Sequence, residues 1–254
     1  MIGVIGAPGN IEASISLLPG RVWYSNENVV ESLWNFVRRQ YRKSANAKAL
    51  ALFAKRQSER LGLPLLFELV STEENTHKLA LYERTFGPRA GAAFHWNGET
   101  GELRAFAGAP FRTAGIEDLP DVVEVCREAH KESGSFGAAD ELAIPVIKDE
   151  LAGTGVVGLI GGRGHVEASI SIHTARMWYS DAHLLEERWL FVREPYRKSN
   201  NAKNLITFAK KQAQRLKVPL RIGVISKKDT EQKVNLYCRL LGAPSAVYYL
   251  YRPQ

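Results

Sequence analysis

The sequence predicts an α/β chain built from two tandem copies of one unit, each a mixed sheet flanked by helices. Three observations carry this: a gap-free internal repeat, a strand-to-helix change of periodicity at the same place in each copy, and a globular composition. Hydrophobic residues make up 45% of the 254 and charged residues 24%. Disordered, collagen-like and coiled-coil chains do not have those proportions.

The repeat is read first. Glu12-Ala13-Ser14-Ile15-Ser16 recurs as Glu167-Ala168-Ser169-Ile170-Ser171, an offset of 155 residues. The offset then holds through Trp23/Trp178, Trp34/Trp189, Val37/Val192, Tyr41/Tyr196, Phe53/Phe208, Pro64/Pro219, Tyr82/Tyr237 and Gly87/Gly242. Solenoid repeats run to only about 20–50 residues, so each copy is a domain or most of one. Residues 1–97 read as a partial N-terminal domain, 98–110 as a linker marked by Gly98, Gly101 and Gly108, and 111–254 as a complete C-terminal domain. The pair amounts to a pseudo-dimer within one chain, and a homodimer is compatible with it.

The elements follow in order. Before the second copy only, Phe111 to Ala114 reads as a strand, followed by helical stretches near 117–131 and 138–152. Val156 to Ile160, a Gly161/Gly162/Gly164 turn and the alternating run Val166 to Ile172 form a β-hairpin. Leu184 to Val192 is a further strand. After Pro195 the apolar residues Leu205, Ile206, Ala209, Ala213 and Leu216 recur at helical spacing, which predicts an amphipathic helix. Leu220 to Ile225 is a buried strand, about 229–241 a helix, and Val247 to Tyr251 a last strand.

The junction between strand and amphipathic helix carries the chemistry. In the second copy it runs Val192, Arg193, Glu194, Pro195, Tyr196, Arg197, Lys198, Ser199, Asn200, Asn201, Ala202; in the first, Arg42, Lys43, Ser44, Ala45, Asn46 and Ala47 follow Val37 at the same spacing. Small polar residues allow a tight turn, and the first turn of the helix offers unpaired N–H groups at the positive end of its dipole. Such a junction binds anions.

Here the sequence resembles the GNAT superfamily of acetyl-CoA-dependent acyltransferases. Their strand-to-helix pattern, Arg/Gln-x-x-Gly-x-Gly/Ala, is met by Arg197 and Ala202 and by Arg42 and Ala47, with Asn200 and Ala45 in place of the first glycine. The family's downstream Asn, Tyr and Gly correspond to Asn75, Tyr82 and Gly87, and to Thr230, Tyr237 and Gly242. The resemblance implies a mostly antiparallel sheet in each domain and acetyl-CoA as co-substrate. Its pyrophosphate would be held by the backbone of the two junctions, Val192 and 197–202 and the matching 42–47. It also implies Tyr237 as proton donor to the departing thiolate and a base on the strand leading to Val192, which makes Glu186 and Glu187 the candidates. Strand alternation sends one of that pair to the cleft and the other away. Because two early helices stand only before the second copy, that copy is expected to be the active one. The tyrosines also fit a plain core role, and Trp34 and Trp189 packing.

Other classes are excluded or disfavoured. Cys126 and Cys238 cannot make a disulfide framework, which points to a reducing cytoplasm, and no Cys/His cluster has zinc-ligand spacing, so no metal is expected. No run approaches 18 apolar residues and no basic segment opens a signal peptide, so no membrane association is expected. The excess of 34 Lys+Arg over 27 Asp+Glu gives a net charge of +7. Residues 38–60 and 193–217 each contribute +7, leaving the remainder at −7. Two basic helices on an acidic chain favour a phosphorylated co-substrate over nucleic acid. The expected activity is transfer of an acetyl group to a small-molecule or protein amine by direct attack. The alternatives are a nucleic-acid-modifying or -binding protein of this fold and a non-catalytic CoA-binding pair.

Overall fold

The computed structural model describes residues 1–70, 76–98, 103 and 111–254. In chain order the first copy comprises β1 (Ile2–Ala7), β2 (Asn10–Arg21), β3 (Asn28–Val37), α1 (Asn46–Leu61), β4 (Leu65–Val70), α2 (Thr76–Phe86) and β5 (Gly91–Trp96). Then come β6 (Phe111–Thr113), α3 (Leu119–Ser133) and α4 (Asp140–Asp149), which ends in one widened helical turn at Glu150–Thr154. The second copy follows as β7 (Gly155–Gly162), β8 (His165–Arg176), β9 (His183–Val192), α5 (Asn201–Leu216), β10 (Leu220–Ile225), α6 (Thr230–Leu241) and β11 (Ala246–Tyr251). The expected α/β class and element order are those observed.

The chain forms two compact units, one of Met1–Ala93 with Pro244–Gln254 and one of Phe94–Ala243. In the first, β1, β2 and β3 are antiparallel neighbours, β3 meets β4 in parallel, and β11 pairs antiparallel with β4 over Ala246–Tyr251. The other edge of β11 pairs with Gly91–Ala93 of β5. Alternation along β2 sends Ala13, Ile15 and Leu17 into a core with Leu50, Ala54, Phe67, Tyr82 and Tyr249. Thus the last strand of the chain lies inside the sheet of the first copy.

In the second unit the order from β6 runs β7, β8, β9, β10, with β5 next to β10. The last strands of the two copies have therefore traded sheets. Each arrives with the same fittings. Phe94 of β5 packs edge-on against Tyr237 at 5.7 Å, as Tyr249 of β11 packs against Tyr82 at 6.1 Å. Lys210 of α5 lies over the ring of Trp96 at 5.1 Å, as Lys55 of α1 lies over Tyr251 at 4.8 Å. Lys210 is buried and also donates to the Leu240 carbonyl at 2.7 Å, at the end of α6.

Both copies share two irregularities that matter later. The β8–β9 register shifts between Ser171 and Ile172, so Arg188 is an extra residue in β9; β2–β3 shifts at the matching place, Ser16/Leu17, with Leu33 extra. Parallel pairing of β9 with β10 covers only Leu185/Leu220 and Glu186/Arg221, and that of β3 with β4 only Val30/Leu65 and Glu31/Leu66. Both partners run on past these pairs, so each unit has a split between two central strands.

Candidate active site

The split of the second unit begins just after the Glu186/Arg221 pair. Glu186 points away from it, into an ion pair with Arg221 at 2.8 Å. Glu187 turns the other way, and its Oε2 accepts the Gly223 amide of β10 at 3.2 Å. Burial pushes the Glu187 carboxyl up to about 8, against the pull of the Gly223 N–H and with a further push from Glu186. The structure thereby distinguishes two acids that the strand alternation left equivalent. Tyr237 of α6 borders the same carboxylate. Burial first, then the Glu187 charge, raises its hydroxyl well above the usual range. Among the described residues no hydrogen bond is made to that hydroxyl.

Past the split, Val192 ends β9 and the chain turns into α5. Arg197 folds back so that its Nε donates to the Val192 carbonyl at 3.2 Å, while its guanidinium lies 5.6 Å from the Phe191 ring centre and pairs with Glu132 of α3. Ser199 shapes the turn, donating to the Tyr196 carbonyl at 2.6 Å and accepting the Asn201 amide at 3.1 Å. Asn200 caps the helix by position, and its Oδ1 accepts from Lys203 at 3.0 Å. Asn201 is buried and donates to Glu167 of β8 at 2.8 Å, which pins the helix start to the sheet. Lys198 is exposed, and the first-turn amides of Ala202 and Lys203 lie too early in α5 to bond within it.

Sequence reasoning missed several residues on the α3/α4 side. Glu150, in the widened turn after α4, is buried and bridges Ser171 Oγ at 2.8 Å and the Nε of the extra residue Arg188 at 2.8 Å. Gly155 leaves room for it, since a Cβ there would stand 1.7 Å from Glu150 Oε2. Lys233, which recurs as Lys78 at the repeat offset, had a signal in the sequence; Glu132 and Glu150 have no counterpart in the first copy and had none.

The first unit repeats the geometry with different chemistry. Ser32 stands in the place of Glu187 and its Oγ accepts the Glu68 amide at 2.8 Å, the counterpart of Gly223. The Tyr82 hydroxyl accepts from Asn35 at 2.9 Å, where the second copy has Leu190. Arg42 donates to the Val37 carbonyl at 3.4 Å and Asn46 to Glu12 at 2.9 Å, as in the second copy. Ser44 accepts the Asn46 amide at 3.1 Å; Lys43 is exposed, and Ala45 and Ala47 bracket the helix start. Asn75 lies outside the described residues. The indoles of Trp34 and Trp189 donate to Ser14 and Ser169 at 3.2 and 3.0 Å, tying β3 to β2 and β9 to β8. Among the described residues no helix is long and apolar enough to cross a membrane, and no group of three metal-ligating side chains converges.

No family model and no curated protein matches the sequence. Solved structures do match the fold. A GCN5-related N-acetyltransferase from Sphaerobacter thermophilus superposes with a TM-score of 0.59 at 15% identity, over 98% of this chain and 79% of that one. A tandem GNAT protein from the clavulanic acid biosynthesis pathway superposes with a TM-score of 0.53 at 13% identity, over 97% and 80%. The chain has the GNAT fold in a tandem arrangement.

Proposed function

We propose that the second unit is an N-acyltransferase that moves an acetyl group from acetyl-CoA to an amine, and that the first unit is a degenerate copy. The observation that carries this reading is the Glu187 carboxylate in the β9–β10 split, bonded to the Gly223 amide and beside Tyr237. The residues suit the co-substrate. The junction offers helix-start amides with Arg197 and Lys198 for a pyrophosphate, and the β9–β10 split opens beyond the Glu186/Arg221 pair.

Acetyl-CoA supplies an activated thioester; the rest is the chain's work. Glu187, raised to about 8, is a base strong enough to take a proton from an ammonium acceptor near neutral pH, directly or through a water. As the amine nitrogen bonds to the carbonyl carbon and the carbon–sulfur bond breaks, Tyr237 gives its proton to the leaving sulfur, and the second proton that the nitrogen sheds on becoming an amide returns to the tyrosine. Its raised pKa keeps the hydroxyl protonated until then. The backbone of the β9 bulge, whose extra residue Arg188 is tied to Glu150, is the source of N–H groups assigned to the developing oxyanion. Ser32 and the Asn35-bound Tyr82 give the first unit neither a base nor an unoccupied phenol.

The test is a thermal shift with acetyl-CoA followed by thiol release across a panel of amines, with intact-mass analysis of each product. A gain of one acetyl mass on an amine, with equimolar thiol, is expected. Binding without thiol release on any amine or protein acceptor sinks the catalytic reading in favour of a non-catalytic CoA-binding pair.

A further inference from the structure

Glu132, in the last turn of α3, divides its two oxygens between cations from two other elements. Oε1 takes Lys233 Nζ, from the first turns of α6, at 3.0 Å, and Oε2 takes Nη2 of Arg197. The carboxylate side chain is 14% exposed, against 29% for Arg197 and 33% for Lys233. Lys233 also donates to Ser226 at 2.9 Å. Burial works to raise the Glu132 carboxyl, but the bonds from Lys233 and Arg197 outweigh it and hold the group below its ordinary range. The two cations thus form an anion site that the chain fills with its own carboxylate.

That carboxylate is also part of a tether. The next residue, Ser133, accepts the Lys227 amide at 3.0 Å, and Gly134 then turns the chain out of α3 with φ 57°. Glu132 and Ser133 together hold the end of α3, and the segment 134–139 that follows it, against the turn between β10 and α6. A phosphate arriving at the α5 junction asks for the same Arg197 and Lys233 donors, and one set of donors cannot serve both anions.

We propose that Glu132 is a built-in stand-in for a phosphate of the co-substrate. When a pyrophosphate occupies the junction it displaces the carboxylate from Arg197 and Lys233, and the end of α3 with the segment 134–139 is released from the α6 side. The inference rests on the acyltransferase reading to the extent that it takes the Arg197 junction as the phosphate site. Exchange is inexpensive, because the displaced carboxylate returns to water and partly exposed ion pairs are individually weak.

The experiment compares wild type with Glu132→Gln, which keeps shape and hydrogen-bonding but removes the charge. Acetyl-CoA and inorganic pyrophosphate are titrated calorimetrically, and exchange of the Lys227 amide is followed by NMR with and without acetyl-CoA. The variant is expected to bind both ligands about fivefold more tightly, the equivalent of one weak ion pair. In wild type the Lys227 amide is expected to exchange faster once acetyl-CoA is bound; in the variant it exchanges fast throughout. If wild type binds acetyl-CoA but the variant binds it equally or more weakly, or if the Lys227 amide becomes more protected on binding, the stand-in is wrong and the acyltransferase reading stands. Binding of acetyl-CoA by neither protein overturns both.

Discussion

Phe94 meets Tyr237 edge to face at 5.7 Å, and the two rings come from different copies of the repeat. The candidate proton donor of the second copy is therefore shaped by the last strand of the first. The first copy thus supplies part of the wall behind the tyrosine.

Phe94→Ala removes a fully buried ring. A loss of about 3–4 kcal/mol in stability is expected, with a fall in kcat larger than any change in KM for acetyl-CoA, because the Tyr237 ring loses its support. Denaturant unfolding and steady-state kinetics check the two parts separately. Unchanged kcat in a folded variant would remove Phe94 from any role near the chemistry.

Glu187→Gln should lower kcat/KM by about 10²–10⁴-fold and abolish the rising limb expected of wild type near pH 8. Stability gives an independent reading. Glu187 has a folded pKa above its ordinary 4.5, so the stability tied to its protonated form is complete below 4.5 and is lost as pH rises through about 8. The thermal midpoint of wild type should accordingly fall relative to that of the glutamine variant between about pH 5 and 9. Parallel melting curves at every pH would mean that the carboxylate is not held in a dry site.

Arg197→Ala and Arg42→Ala change equivalent residues and are expected to differ in outcome. The first should weaken acetyl-CoA binding and activity by about tenfold or more, as loss of a charge-assisted phosphate contact does. The second should leave turnover near the wild-type value. Loss of turnover in Arg42→Ala with Arg197→Ala unaffected would move the active site to the first unit.

Lys217 ends α5 in the left-handed region at φ 56°, where the first copy ends α1 with Gly62 at φ 64°. A side chain costs about 1 kcal/mol in that conformation, so Lys217→Gly should raise stability by about 0.5–1 kcal/mol. Gly62→Lys should lower it by a similar amount. Chemical denaturation of the pair provides the check, and the same sign for both would show that local context outweighs backbone conformation.

Much of this was legible in the residues. A repeat without gaps implies two sheets of one kind, and the Arg197 and Arg42 junctions are where the spacing put them. Glu186 and Glu187 could not be separated, because alternation says that neighbours diverge but not which one faces the split. The trade of β5 and β11 was invisible for a related reason. Ala92-Ala93-Phe94 and Val247-Tyr248-Tyr249 are both short apolar strands after a helix, and either satisfies either sheet. Glu132 pairs with Lys233 across 101 positions, a distance over which no periodicity speaks.

The trade of strands also sets an order of events during synthesis. Ser245 bonds to Ala93 across 152 positions and Tyr251 to Glu59 across 192. The first-made sheet therefore waits, with the edge of β4 open, until β11 has been made. Until then the nascent chain carries an unpaired strand edge and an unfilled aromatic slot beside Tyr82, the kind of surface that chaperones hold and neighbouring chains invade.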